Sequence, residues 1–437
     1  MTPMSDVDVL VLGAGFAGVA AARGIKNSGH SVLVLEARDR IGGRAWTSEL
    51  DNTKIEFGAT WIHWFQPYVW AEFQRSGLTL HEDPWFPPMT IHSGGTRAPL
   101  DFDEFQEKLQ RGWEALSQSS DDGHLMERPY DLASLPDADR LDQMSVQDAV
   151  DELDLDPTTR DILLAEISVQ MNAHPAEVSY LSQLRWWSAG GWKLSLMIDC
   201  LARYKIDSGM SSLIEHMARS AELDIRLEHP VESVQQQANA VKVSTVDGQT
   251  FRAKKVICAL PLNCLKDVEF EPRLDEEKLA LSNEEHAAKG MKVLFTTKGE
   301  NEGHAIIAPP SEKSLNLLNP IRIEGDERLY VGFGIDGTAF DANNLDEVNS
   351  VLRDLHPDLE ATACAGHDWH NDEYSRGTWH MPRPGQNMRT LHAFSEDEGN
   401  VFFAGDYLAR GWTGFVDGAI ESGILTADSV LDSLRNN

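Results

Sequence analysis

The stretch Val7-Asp8-Val9-Leu10-Val11-Leu12-Gly13-Ala14-Gly15-Phe16-Ala17-Gly18 decides the fold. Val7 to Leu12 reads as a short, mostly apolar strand of the kind buried in a parallel sheet. The glycines break that strand at G-x-G-x-x-G spacing. An Ala-rich helix continues from Val19 to Ser28, and Ser31–Leu35 is a second buried strand, which completes a βαβ unit. Gly13 permits the tight turn. Gly15 lets the backbone approach a pyrophosphate, and Gly18 lets the helix pack close to the sheet. The N–H groups of the helix start, around Phe16 and Ala17, then face phosphates, with the helix dipole assisting. Glu36 ends the second strand. Its carboxylate can accept hydrogen bonds from both ribose hydroxyls and would repel a 2′-phosphate. The unit predicts a dinucleotide with an unphosphorylated ribose.

A second match, Gly332-Phe333-Gly334-Ile335-Asp336-Gly337, lacks this context. Thr338–Asn343 does not start a helix, and the next helical pattern begins near Asn344. No helix N-terminus could anchor a phosphate there. It reads as a glycine-rich strand end, which disfavours a second, nicotinamide-binding site.

The bulk numbers set the outer limits. With 437 residues, 41% of them hydrophobic, the chain can build a sizeable core and two or three structural units. Lys plus Arg number 38 against 70 Asp plus Glu, a net charge of −32. That argues against nucleic acid and against anionic membrane surfaces as partners, and such a field could steer a cation. Cys200, Cys258, Cys264 and Cys364 form no C-x-x-C pair and no zinc-type spacing, so no metal is expected and a reducing cytoplasm fits. Met1–Asp6 shows no signal-peptide pattern, and no apolar run approaches the roughly 20 residues of a membrane span. A cytoplasmic location is the expectation.

Along the chain, helical periodicity appears in Glu104–Leu116 and from Val146, with an acidic, Pro-containing loop at Ser119–Asp139. Gly209–Glu222 reads as an amphipathic helix. Asp224–Leu227, Val231–Gln235, Ala240–Thr245 and Val256–Ala259 read as strands, with Asp247-Gly248 as a hairpin turn. Lys289–Lys298 and Arg328–Gly334 are further strands, Asn344–Asp354 is a helix, and strand Asn400–Ala404 precedes a helix over Phe415–Leu431. The fold class is α/β (α+β). A Rossmann-type dinucleotide domain is drawn from residues 1–75, 206–265 and 396–437. A mainly helical insertion spans 76–205, and a mixed-sheet substrate domain spans 266–395.

The run after the second strand is Glu36-Ala37-Arg38-Asp39-Arg40-Ile41-Gly42-Gly43-Arg44. Further motifs are Gly58-Ala59-Thr60-Trp61-Ile62-His63, Gly209-Met210-Ser211-Ser212-Leu213-Ile214, His229-Pro230-Val231 and Ala259-Leu260-Pro261-Leu262. The last are Gly405-Asp406 and Gly411-Trp412-Thr413-Gly414-Phe415-Val416-Asp417-Gly418-Ala419. In this order they resemble the flavin-containing amine oxidase (monoamine oxidase) family, with a look closest to the bacterial hydroxynicotine and pseudooxynicotine amine oxidases. The resemblance implies FAD as cofactor and a monoamine oxidase-like fold. It implies that Ala37, Arg38, Gly43, Arg44, Gly58, Ala59 and Thr60 join the glycine turn around FAD, Arg44 neutralising the diphosphate. Val231 would hold the adenine through its backbone. Gly405 and Asp406 would contact the ribityl and phosphate region, and the helix opening at Phe415 and Val416 would point its N-terminus at the flavin.

The same resemblance implies the chemistry. Lys292 aligns with the family lysine that reaches flavin N5 through a water. Trp379 and Phe415 align with two walls of an aromatic cage over the flavin. Thr378 stands where the mammalian monoamine oxidases have a cysteine bonded to FAD, and it cannot form a thioether, so non-covalent FAD is expected. Trp61, His63, Gln170 and Asn172 are the candidate substrate contacts. No Arg follows the Gly58-Ala59 motif to hold a carboxylate, which disfavours α-amino acids. The expected substrate is a compact aromatic or alkyl amine, possibly of nicotine type. Its imine would hydrolyse to a carbonyl compound, with O2 reduced to H2O2. Alternatives are a polyamine oxidase, a dehydrogenase passing electrons to a redox protein, or a non-enzymatic FAD scaffold. A homodimer is compatible with all of these.

Overall fold

The computed structural model describes residues 6–83, 88–118, 124–238, 240–299 and 304–435. Residues 1–5, in the stretch read for a signal sequence, lie outside the described residues, as do 119–123 of the acidic loop.

The opening strand is Asp6–Leu12 and the helix after the glycine turn is Phe16–Asn27. The strand pairs in parallel with Val32–Leu35 on one side and with Thr250–Cys258 on the other. Val9 to Leu12 and Val32 to Leu35 are buried, as strands covered on both faces must be. Asp224–Arg226 lengthens the sheet in parallel beyond Val32–Leu35. On the far side Ala240–Thr245 and Val231–Gln237 follow antiparallel, and Glu269–Glu271 closes the edge. Val401–Phe403 pairs in parallel with Val256–Cys258. One eight-stranded sheet thus takes strands from the start, middle and end of the chain. Helix Phe16–Asn27 packs on the C-terminal helix Val416–Arg435, where Ala20 and Gly423 come close enough that a Cβ on Gly423 would meet the Ala17 carbonyl oxygen at 2.2 Å.

A seven-stranded sheet forms the second layer. Its order is Ala361–Gly366, Met291–Lys298, Glu327–Gly334, Leu317–Glu324, Ala305–Ile307, Met89–Ser93, Thr96–Leu100. The last two strands form a hairpin that comes from the region expected to be mainly helical. Apart from the short strands Leu80–Glu82 and Tyr204–Ile206, the described elements of the remaining 76–205 region are helices, of which Phe102–Ser117, Pro157–Met171, Tyr180–Ala189 and Leu194–Ala202 are the longer members. These helices share the largest apolar core, built around Trp113, Trp186, Trp187 and Trp412. The second glycine motif ends the Glu327–Gly334 strand, and no helix begins before Leu345. Its glycines serve strand packing: a Cβ on Gly332 would meet Leu318 at 2.9 Å and Val293 at 3.0 Å.

Candidate active site

The glycine turn opens onto a cavity of about 610 Å³ that runs from the first sheet to the second. At its first-sheet end lie Gly13, Gly15, Phe16, Ala17, Glu36, Ala37, Arg38, Gly43, Arg44 and Val231. Gly58, Ala59, Thr60, Gly405, Asp406, Phe415 and Val416 follow along its length. Residues from three distant stretches meet here because their strands share one sheet.

The local geometry fits a dinucleotide. A Cβ on Gly15 would meet no protein atom within 4 Å, so the space beside this backbone is open. Gly18 differs. Its Cβ would sit 2.0 Å from the Gly13 carbonyl oxygen, and it does not line the cavity. Here it has the packing role expected of it, and it holds the turn closed. Glu36 is buried, and its oxygens accept from the Ala14 N–H at 2.8 Å and the Arg38 N–H at 2.9 Å. Each oxygen keeps a second lone pair for a ribose hydroxyl. The Gly42 N–H donates to Ala14 at 2.9 Å, which locks the second glycine pair onto the first turn. The His229 N–H donates to the Glu36 carbonyl at 2.8 Å and so brings Val231 to the same end.

Arg44 donates to Asp406 at 2.6 Å and to the Thr378 carbonyl. Asp406 also accepts from the His380 N–H at 3.1 Å. Burial opposes the charge of Asp406, yet Arg44 beside it holds the carboxyl below its usual range. Thus Arg44 reaches the cavity already paired, which fixes its guanidinium in place. Two thiols line the cavity, Cys200 and Cys264, and burial pushes each up to about 12. Neither is a thiolate near neutral pH.

Toward the second sheet, Lys292 leaves the strand Met291–Lys298 opposite Phe333. Its Nζ donates to Thr60 Oγ1 at 2.6 Å and to the Gly58 carbonyl at 3.0 Å. The nitrogen sits 5.4 Å from the Trp61 ring centroid and 5.9 Å from that of Phe333. Burial lowers its pKa well below the ordinary lysine value, against the opposing pull of Glu56. The Trp61 indole N–H is in turn held by Asp83 at 2.8 Å.

Trp379 projects into the cavity with its indole N–H on the Gln170 carbonyl at 3.0 Å. Phe415 lines it as well, packed on Trp186 at 4.6 Å and on Trp412 at 5.0 Å between ring centroids. Gly414, at φ +84°, leaves no room for a side chain between them: a Cβ there would lie 2.7 Å from the His380 carbonyl oxygen and 3.5 Å from both Trp186 and Trp379. Trp186, its own N–H on the Thr413 carbonyl at 3.0 Å, is a wall that the sequence did not disclose.

The candidate substrate contacts separate. Trp61, Gln170 and Asn172 line the cavity. The Asn172 amide donates to the Gly334 carbonyl at 3.1 Å and so ties its helix to the second sheet. His63 is fully buried and does not line the cavity. Its Nδ1 accepts from the Phe65 N–H at 3.2 Å, its ring stacks between aromatic neighbours, and burial lowers it to about 4. Cys200, 3.4 Å from it, is the residue that faces the cavity.

The glycine turn, Glu36, a buried lysine and aromatic walls thus share one cavity, an arrangement that fits a flavin enzyme. The chain belongs to the flavin-containing amine oxidoreductase family, whose pattern matches residues 16–431, and its cofactor is FAD. Among its relatives, a pseudooxynicotine dehydrogenase of Pseudomonas sp is 35% identical, over 96% of this chain and 85% of that one. A nicotine dehydrogenase of Pseudomonas putida (strain DSM 28022 / S16) is 32% identical, over 96% and 87%. An (S)-6-hydroxynicotine oxidase of Paenarthrobacter nicotinovorans is 28% identical, over 98% and 100%. The fold matches that of putrescine oxidase bound to putrescine, with a TM-score of 0.82 at 22% identity over 98% of this chain and 100% of the other.

Proposed function

We propose that the protein oxidises a compact amine at the carbon next to nitrogen, giving an imine that hydrolyses to a carbonyl compound. Bound FAD supplies the acceptor for the hydride equivalent. The protein's residues orient the amine and keep out bulk water. Trp379 and Phe415 flank the reacting nitrogen, and their faces favour an uncharged lone pair held between them. Lys292, its charge disfavoured by burial, holds a water or a proton at Nζ beside the cofactor site. The start of helix Val416–Arg435 lines the cavity and would offer its positive end to negative charge on a flavin held there. The observation that carries this reading is the shared cavity: Lys292, Trp379 and Phe415 line the same space as the glycine turn.

For reoxidation the reading is O2 reduced to H2O2. Two relatives that bear the name dehydrogenase favour a second reading, transfer to a redox protein. The substrate is an aromatic or alkyl amine, with nicotine-type catabolites among the first to try. The test is an anaerobic screen of primary, secondary and cyclic amines against the yellow protein. Bleaching of the flavin band by some amine is expected. Bleaching by none, or by NAD(P)H alone, overturns the reading. Mixing the bleached protein with air then separates the two acceptors: fast recovery with peroxide marks O2, and slow recovery marks a protein acceptor.

A further inference from the structure

Helix Pro157–Met171 presents Glu166 and Gln170, one turn apart, to the cavity. The same turn of helix holds Trp379 through the Gln170 carbonyl. The walls around them are apolar: Val169, Trp186, Ile198, Leu201 and Leu317. Glu166 is hydrogen-bonded to the Gln170 side chain, and no cation among the described residues compensates it. Gln170 Oε1 is buried and has no partner. Lys292, which lines the same cavity, is held by Thr60 and Gly58. A carboxylate in apolar surroundings without a cation is costly, and so is an amide oxygen left unpaired. Burial accordingly pushes the Glu166 carboxyl up to about 7. A carboxylate held by an amide N–H but by no cation, beside an amide oxygen left unpaired, faces the space a substrate enters and describes half of a recognition site.

We infer that Glu166, with Gln170 beside it, receives a second basic nitrogen of the substrate, remote from the carbon that is oxidised. The substrate class is then an amine that carries a further protonated nitrogen, either an ammonium or a protonated ring nitrogen. This rests on the amine-oxidation reading of the same cavity. The two nitrogens have opposite requirements. The reacting one is neutral when it lies between Trp379 and Phe415, and the remote one is charged when it reaches Glu166. The carboxylate therefore fixes which end of the molecule faces the cofactor. The net charge of −32 draws such a cation toward the protein as a whole.

The test compares matched pairs that differ by one basic nitrogen: hexylamine with hexamethylenediamine, and phenylbutylamine with pyridylbutylamine. The second-order rate constant of anaerobic flavin bleaching is measured for each. In the wild-type protein the member with the second nitrogen is expected to be favoured at least about tenfold, the scale of one charge-assisted hydrogen bond. Glu166→Gln should abolish most of that ratio, and Glu166→Asp, which keeps the charge, should retain part of it. Absence of preference in the wild type, or a preference that survives in Glu166→Gln, overturns the inference. So does a ratio for Glu166→Asp no higher than for Glu166→Gln. If no amine bleaches the flavin, the amine reading itself falls; bleaching without discrimination leaves that reading standing and removes Glu166 alone.

Discussion

Lys292 Nζ lies 2.6 Å from Thr60 Oγ1, and the Thr60 hydroxyl donates on to the Gly58 carbonyl at 3.0 Å. The lysine of the second sheet is thus fastened to the loop that lines the cofactor end. Lys292→Met keeps the stem and removes the amine. It should retain FAD, as read from the flavin spectrum, and lower amine turnover by about a hundredfold, the scale of a positioned proton-handling group. Unchanged turnover with the best amine would remove Lys292 from the chemistry.

Thr60→Val deletes an acceptor and leaves Lys292 with the Gly58 carbonyl alone. Losing an acceptor disfavours the ammonium more than the neutral amine. The limb of the pH–rate profile that belongs to Lys292 should then move to lower pH, while Thr60→Ser leaves it in place. A limb that stays put in Thr60→Val would show that the hydroxyl does not govern Lys292.

Gly15 and Gly18 should respond oppositely to alanine. A methyl on Gly15 enters open space, and the residue's φ of −75° suits alanine. Gly15→Ala should fold with an apo-protein melting temperature close to wild type and bind FAD at least about tenfold more weakly. A methyl on Gly18 runs into the Gly13 carbonyl oxygen. Gly18→Ala should lose stability by about 1–3 kcal/mol or more even without cofactor. Thermal melts of both apo-proteins, with FAD titrations, decide the matter.

Acid or heat denaturation should release yellow flavin into the supernatant, because Thr378 has no thiol and the two cysteines that line the cavity are held protonated by burial. Colour that stays with the pellet would refute non-covalent binding.

Asp417 gives a pH prediction. One oxygen caps the Pro67–Ser76 helix by accepting from the Tyr68 N–H at 2.7 Å and the Val69 N–H at 2.9 Å. The other is buried without a partner. Burial pushes the carboxyl from 3.8 up to about 7. The folded value lies above the unfolded one, so between about 4 and 7 the folded state binds the extra proton. Stability from this group is full below that window and is lost as pH rises through it. Asp417→Asn keeps an accepting oxygen and cannot ionise. Its melting temperature minus that of wild type should increase from pH 4 to pH 7; a flat difference would contradict the assignment.

The cofactor end of the cavity was legible because its chemistry constrains residue type. A close backbone approach needs glycine at Gly13, Gly15 and Gly18, and a ribose needs Glu36 at the end of a strand. Such demands leave a spacing in the sequence. The helical layer left none. In Tyr180–Ala189 every residue from Tyr180 to Ser188 is buried, including Gln183 and Arg185, so no polar face marks its period. Trp186 could not be told from the other tryptophans. Glu166 is a single carboxylate in an acidic chain, and only the fold shows that it lacks a cation. The hairpin Met89–Leu100 did leave a local mark, the Gly94-Gly95 turn at positive φ, which was overlooked; its pairing with Ala305–Ile307, far away in sequence, left none.

The eight-stranded sheet joins Asp6–Leu12 to Val401–Phe403 through the strand Thr250–Cys258 that lies between them. On the ribosome the glycine turn emerges long before Gly405, Asp406 and the helix that completes the cavity. Until they emerge the nascent chain carries half a binding cleft, with the apolar flank of Phe16–Asn27 waiting for Val416–Arg435. Yellow colour in this protein is in effect a certificate of finished folding, since a prematurely terminated chain lacks the residues that close around the flavin.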